Sequence, residues 1–154
     1  MASAIESLLN YVPRRLALRC CKGADLAVPD EFNAAVLFAD ISGFTDLVDR
    51  LSRRGPAGIE ELSTSLGSFF KALLQVVESH GGDVLKMRGD ALVVAWEWKS
   101  PSDACEAALR ATACALDLQA SVHDLTTPDG GKMAVRIGIG AGRMQSVTLG
   151  GHPA

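Results

Sequence analysis

The spacing of hydrophobic positions changes several times along the chain, and each change predicts an element. Residues 34–39 (Ala-Ala-Val-Leu-Phe-Ala) are apolar without interruption, which predicts a short central strand buried on both faces. It ends on Asp40, and Ser42-Gly43 turns the chain into a short helix carrying Leu47, Val48 and Leu51, broken at Arg53-Arg54-Gly55-Pro56. From about Ile59 the period becomes helical. Leu62, Leu66, Phe69, Phe70, Leu73, Leu74 and Val77 share one face, and Gly81-Gly82 supplies a stop. Asp83–Arg88 and Ala91–Trp96 read as two strands joined by Gly89-Asp90, a β-hairpin. Pro101-Ser102 opens another helix, whose Ala104, Ala107, Ala108, Ala111 and Ala115 let it lie close to a sheet. Met133–Ile139 is the last clear strand, with a further short one expected near Val147. The order βααββαβ predicts an α+β fold with helices packed on a single sheet.

Composition narrows the partners rather than the fold. With 154 residues the chain can bury one full core, and a net charge of −3 leaves no basic footprint for nucleic acid or an anionic membrane. No apolar stretch approaches the ~18 residues of a membrane span. Met1–Arg19 mixes Leu8, Leu9 and Leu16 with Arg14, Arg15 and Arg19; Glu6 and the Pro13 break favour a helical lead-in over a transit peptide. Cys20, Cys21, Cys105 and Cys114 show no zinc spacing and read as reduced thiols of an intracellular, cytoplasmic protein. His80, His123 and His152 share no ligand spacing and read as loop or helix-end residues. Trp96 and Trp98 alternate on a strand face, and Arg53-Arg54 reads as a solvated loop.

Two carboxylates carry the candidate chemistry. If the hairpin pairs beside the first strand, Asp40 and Asp90 emerge at one edge of the sheet. Such a pair repels unless a cation sits between the charges, and suits a hard, oxygen-preferring divalent ion. Ile41-Ser42-Gly43-Phe44-Thr45 enters a helix, so its free N–H groups can face an anion, and Gly43 allows close approach. Singly, each aspartate reads better as a turn former or helix cap. Together, at matching ends of neighbouring strands, they describe a metal–triphosphate site.

Phe38-Ala39-Asp40-Ile41-Ser42-Gly43-Phe44-Thr45, followed by residues 81–92 (GGDVLKMRGDAL), resembles the class III nucleotidyl cyclases, most of all the bicarbonate-responsive soluble adenylyl cyclase branch. Val135-Arg136-Ile137-Gly138-Ile139 with Ala141-Gly142 adds a third similar block, and Tyr11-Val12-Pro13-Arg14 resembles that branch's lead-in. The resemblance implies a ferredoxin-like cyclase sheet, with residues 1–33 a helical lead-in and 34–154 a partial cyclase domain. It implies an adenylyl cyclase that converts ATP to cyclic AMP with two divalent cations, magnesium or manganese. Asp40, Asp90 and the Ile41 carbonyl would hold them, activating the ribose 3′-hydroxyl and neutralising the leaving pyrophosphate. Residues Ile41 to Thr45 would bind phosphate through N–H groups, and Arg136 would contact the terminal phosphate. Lys86 corresponds to a lysine that reads adenine in symmetric members and lines a bicarbonate site in the soluble branch.

Members of the family build each site from two halves, and the adenine-reading half with its Asn/Arg pair has no match here. Residues 150–154 complete no element, so the domain is expected to continue beyond them. Alone, the chain is expected to be a poor catalyst that needs a second cyclase half, in cis or in trans. The alternative is a catalytically silent nucleotide-binding or dimerisation module. Gly81-Gly82-Asp83 invites comparison with diguanylate cyclases, but Val84-Leu85 lacks the acidic and aromatic residues expected after it.

Overall fold

The computed structural model describes residues 12–122, 125–127 and 130–147. Its elements run α1 (Arg14–Cys21), β1 (Asp30–Ser42), α2 (Phe44–Ser52), α3 (Pro56–Ser79), β2 (Asp83–Arg88), β3 (Ala91–Trp98), α4 (Ala104–Val122), β4 (Leu125–Thr126) and β5 (Lys132–Ser146), with a 3-10 turn before α4. The sheet order is β2-β3-β1-β5-β4, antiparallel throughout. This is the α+β fold predicted, with a short β4 added and a helix within the lead-in. His123, His152 and the chain beyond Val147 lie outside the described residues.

Alternation along the strands assigns the two sheet faces. Ala35, Leu37, Ala39 and Ile41 of β1, Leu92, Val94 and Trp96 of β3, and Met133 and Val135 of β5 are buried with Phe69, Leu73 and Val77 of α3 and the alanine side of α4. Ala107, Ala111 and Ala115 have no bulk to hold α4 away, and the Gln119 amide donates to the Val135 carbonyl at 2.7 Å. Cys114 is buried in the same layer. Desolvation, reinforced by Asp117, pushes its thiol up to about 11, so it stays protonated at neutral pH.

Among the described residues the second face is covered at one end, by α1. The two oxygens of Asp83 accept the backbone N–H groups of Arg14 and Arg15 at 2.8 and 2.9 Å, capping a helix whose N-cap residue, Pro13, offers no side-chain cap. The Arg15 guanidinium pairs with Asp30 and Glu97 and lies 3.7 Å over the Phe32 ring, and Arg19 donates to the Asp25 and Val28 carbonyls. Ala34 and Ala95 are buried beneath this clamp, whereas Phe38, further along β1, is 49% exposed. Among the described residues the expectation of a first strand buried on both faces therefore holds where α1 lies and fails at Phe38.

The Gly-Gly-Asp triplet has a structural account. Gly81 sits at φ +69° after the C-cap His80, with Gly82 N–H donating to Val77 O at 3.0 Å and Gly81 N–H to Glu78 O at 2.9 Å, the Schellman closure of α3. A Cβ on Gly82 would fall 2.6 Å from Val94 Cγ1 and 2.9 Å from Trp96 Cζ2. Asp83 is the cap of α1. Asp83→Ala should therefore cost about 1–2 kcal/mol, the usual value of a helix cap, with Asp83→Asn intermediate; an unchanged urea midpoint for both would remove the cap from the account.

Three strands, β1, β3 and β5, outrun their predicted lengths. The sequence predicts β5 over Met133–Ile139, yet it continues through Gly140, Ala141, Gly142 and Arg143 to Ser146, paired residue by residue with β1 as far back as Asp30. Glycines suppress the local strand signal, and pairing with a thirteen-residue partner overrides it.

Candidate functional site

Asp40 does not end β1 as its sequence position suggests; the strand runs on through Ile41 and Ser42, because β5 pairs with both (Ile41 opposite Val135, Ser42 opposite Ala134). On the other side Asp40 lies opposite Ala91, the first residue of β3, and the Ile41 N–H donates to the Asp90 carbonyl at 3.2 Å. The hairpin thus pairs beside the first strand, and both aspartates sit at one end of the sheet. Asp40 shares its face with Phe38, on the side opposite the helical core. Both residues are half-buried, and among the described residues neither carboxylate has a hydrogen-bond or ion-pair partner.

Ile41 points its side chain into the core, 4% exposed, so only its backbone can serve a ligand. Ser42 donates its hydroxyl to the Ala134 carbonyl at 3.2 Å. Gly43 is the N-cap of α2 at φ +88°, and no side chain caps the helix. The N–H groups at the start of α2, Phe44 and Thr45 among them, are therefore available to an anion beside Asp40, with Asp46 the acidic residue of that turn. Gly43 also has a reason independent of any ligand: a Cβ there would lie 2.6 Å from the Lys132 carbonyl oxygen.

Arg136 stands opposite Asp40 on β5, exposed, with the Cα–Cα separation of about 5 Å that antiparallel partners have. Lys86 reaches the same face through an irregularity in β2. Val84 pairs with Val94, but Lys86 pairs with Val93, leaving Leu85 as the extra residue of a bulge. Without it Lys86 would fall opposite buried Leu92 and point with the core. With it, Lys86 and then Arg88 (opposite Ala91) share the face of Phe38 and Asp40. Phe38, Lys86, Arg88, Asp90, Ala91 and Val93 line an open recess there. Arg88 carries no signal in the sequence that would single it out, since a lone bulge is not legible from a six-residue strand.

The arrangement has the charges to engage a metal-bound polyphosphate. Two carboxylates lie on one sheet edge, a free helix N-terminus beside them and a guanidinium across the neighbouring strand. Among the described residues no cluster of three or more acidic, histidine or cysteine side chains could hold a metal by itself. Two carboxylates and a backbone carbonyl leave most oxygen positions of a hard cation to substrate and water, which is how magnesium is commonly bound in phosphoryl-transfer sites. The donor set therefore fits divalent cations carried with a nucleotide. A larger recess at the far end of the sheet, between α1 and the start of α4, holds none of the predicted site residues. No helix among the described residues is long and apolar enough to cross a membrane.

Residues 27–152 match the family model of the adenylate and guanylate cyclase catalytic domain. The chain is 30% identical over 125 residues to the adenylate cyclase type 10 of Oryctolagus cuniculus, covering 79% of this chain and 8% of that protein. It is 31% identical over 147 residues to an adenylate cyclase of Mycobacterium bovis, covering 94% of this chain and 31% of that one. The chain thus spans less than a third of the length of either relative. Among solved structures it resembles a bacterial light-regulated adenylyl cyclase, with a TM-score of 0.70 at 19% identity over 97% of this chain and 42% of that one. It also resembles the dimeric guanylyl cyclase domain of the RhoGC fusion protein from Blastocladiella emersonii, with a TM-score of 0.62 at 22% identity over 81% of this chain and 66% of that one.

Proposed function

We propose, since this chain belongs to the adenylate and guanylate cyclase catalytic domain family, that it supplies the metal–nucleotide half of an adenylyl cyclase site. Completed by a second cyclase half, in cis or in trans, it converts ATP to 3′,5′-cyclic AMP and pyrophosphate in the cytoplasm. The single observation that carries this reading is the meeting of Asp40 and Asp90, whose carboxylates have no protein partner among the described residues, at one end of the open sheet face.

In this reading Asp40, Asp90 and the Ile41 carbonyl hold two divalent cations, magnesium or manganese. When bound, these supply Lewis-acid activation of the ribose 3′-hydroxyl and neutralise charge on the departing pyrophosphate. The N–H groups of Ser42, Gly43, Phe44 and Thr45 orient the phosphates at the start of α2, the Ile41 N–H being taken by the Asp90 carbonyl, and Arg136 binds the terminal phosphate with its guanidinium fork. Lys86, brought to the same face by the Leu85 bulge, faces the partner half, where it meets the adenine ring or a bicarbonate ion. Residues 34–154 form part of the cyclase domain and 1–33 its lead-in. The choice of ATP over GTP is supported by the names of the two relatives rather than by a base-reading residue in this chain.

The test is cyclic nucleotide formation from manganese-ATP and manganese-GTP by the purified chain, alone and mixed with a second cyclase half. Cyclic AMP that appears only in the mixture is the expected result. Product from the chain alone that requires Asp40 would show two copies completing a site between them. No product under either condition from a folded chain would overturn the catalytic reading in favour of the silent module.

A further inference from the structure

We propose that Arg88 is an anion-contacting residue which, together with Lys86, takes an oxyanion at the Asp90 end of the open sheet face. The inference rests on the reading of that face as the ligand face and adds to it a cation that neither motif nor spacing assigns.

Three observations carry it. The first is the bulge at Leu85. Regular pairing from Val84 to the hairpin would alternate Lys86 toward the core side, whereas the observed register puts Lys86 opposite Val93 and Arg88 opposite Ala91. A bulge costs one unpaired residue in the ladder and re-aims every side chain after it. Of the three side chains re-aimed, Met87 now stands opposite buried Leu92, and the other two are cations that stand in rows with Phe38 and with Asp40.

The second observation is their lack of partners. Among the described residues neither Lys86 nor Arg88 makes an ion pair or side-chain hydrogen bond, although the other end of the same sheet is knitted by Arg15 and Arg19 to Asp30 and Glu97. Edge strands commonly carry charge to discourage pairing with other chains, but that purpose is served by charge on either face. It does not explain why both cations are turned to the side of the recess.

The third is the recess itself. Lys86 and Arg88 line it with Asp90, over the half-exposed Phe38 ring. Arg88 lies two strands from Asp40 on the β3 side, and Arg136 one strand away on the β5 side. The carboxylates are thus flanked by cations on both sides. Two cations spaced two residues apart on one strand face repel each other mildly, and an oxyanion bridging them relieves that repulsion while accepting from the guanidinium fork. That oxyanion is either part of a nucleotide's phosphate chain or a free small ion such as bicarbonate.

Calorimetric titration of the full chain separates these sources, using inorganic tripolyphosphate and, in parallel, bicarbonate, with circular dichroism to show that each variant is folded. Arg88→Ala should weaken binding of one probe roughly tenfold, with Arg88→Lys falling between because charge remains and the fork is lost. A loss confined to tripolyphosphate assigns the residue to the phosphate chain; a loss confined to bicarbonate assigns it to a free oxyanion. Arg143→Ala, which removes an exposed cation elsewhere on β5, should leave both affinities unchanged. If it weakens binding as much as Arg88→Ala, the effect is general charge and the assignment is overturned. Equal binding by wild type and Arg88→Ala overturns it too, leaving the nucleotide reading intact. A wild-type chain that binds neither probe overturns the assignment, and one that fails to bind manganese-ATP as well overturns both readings.

Discussion

Asp40→Asn is expected to lower metal-dependent cyclic AMP formation by the assembled enzyme by at least ~1,000-fold, the scale seen when a charge acting at the reacting centre is removed. Asparagine keeps the shape and one acceptor oxygen but none of the charge. A site with only two carboxylates cannot spare one and still neutralise a pair of divalent cations. Because Asp40 is half-buried and has no hydrogen-bond partner among the described residues, the substitution breaks nothing in the folded chain. Stability should stay within ~0.5 kcal/mol, as for other surface changes without a special contact. Asp90→Asn should behave alike, and the double variant should lose little more than either single one, since the two groups act as a unit. Turnover within a few-fold of wild type in either variant, with saturating manganese, would remove both residues from the metal site. A loss of activity matched by a loss of stability would instead make them structural.

The two halves of that adjacency were legible in the sequence, a strand that ends near an aspartate and a hairpin whose turn contains another. Each is a local pattern, but that the hairpin pairs beside the first strand stood as a condition, which the pairing of β3 with β1 meets. What was not legible depends on distant partners. The extension of β5 through Gly140 and Gly142 exists because β1 is long enough to pair with it. The continuation of β1 past Asp40 has the same cause.

Asp83 gives a sharper case. Its position after Gly81-Gly82 suggests a motif, but its work is to cap a helix that begins 69 residues earlier. No periodicity encodes such a contact. The bulge at Leu85 is harder still to foresee. Val-Leu-Lys-Met-Arg alternates as well in one register as in the other, and only the partner strand decides which face Arg88 takes.

Gly43 is where the two kinds of constraint meet, and its replacement is expected to be strongly destabilising. Gly43→Ala should destabilise the chain by about 2–4 kcal/mol, combining backbone strain with a steric clash. The strain arises because φ +88° is a conformation that L side chains rarely adopt. The clash arises because the new Cβ would lie 2.6 Å from the Lys132 carbonyl oxygen. That oxygen belongs to the backbone of a paired strand, so it cannot move away as the tip of a side chain could. Gly89→Ala serves as the comparison, for Gly89 has φ +60° and nothing within 4 Å of the added methyl group. It should cost only the conformational part, about 1 kcal/mol. A larger fall in the urea midpoint for Gly43→Ala measures the clash by difference. Equal falls would mean that β5 yields at no cost and that strain alone requires the glycine. Loss of cyclic AMP formation at Gly43 with stability unchanged would have a different meaning. It would show that the missing side chain leaves room for the nucleotide's phosphates and that the approach of Lys132 is incidental.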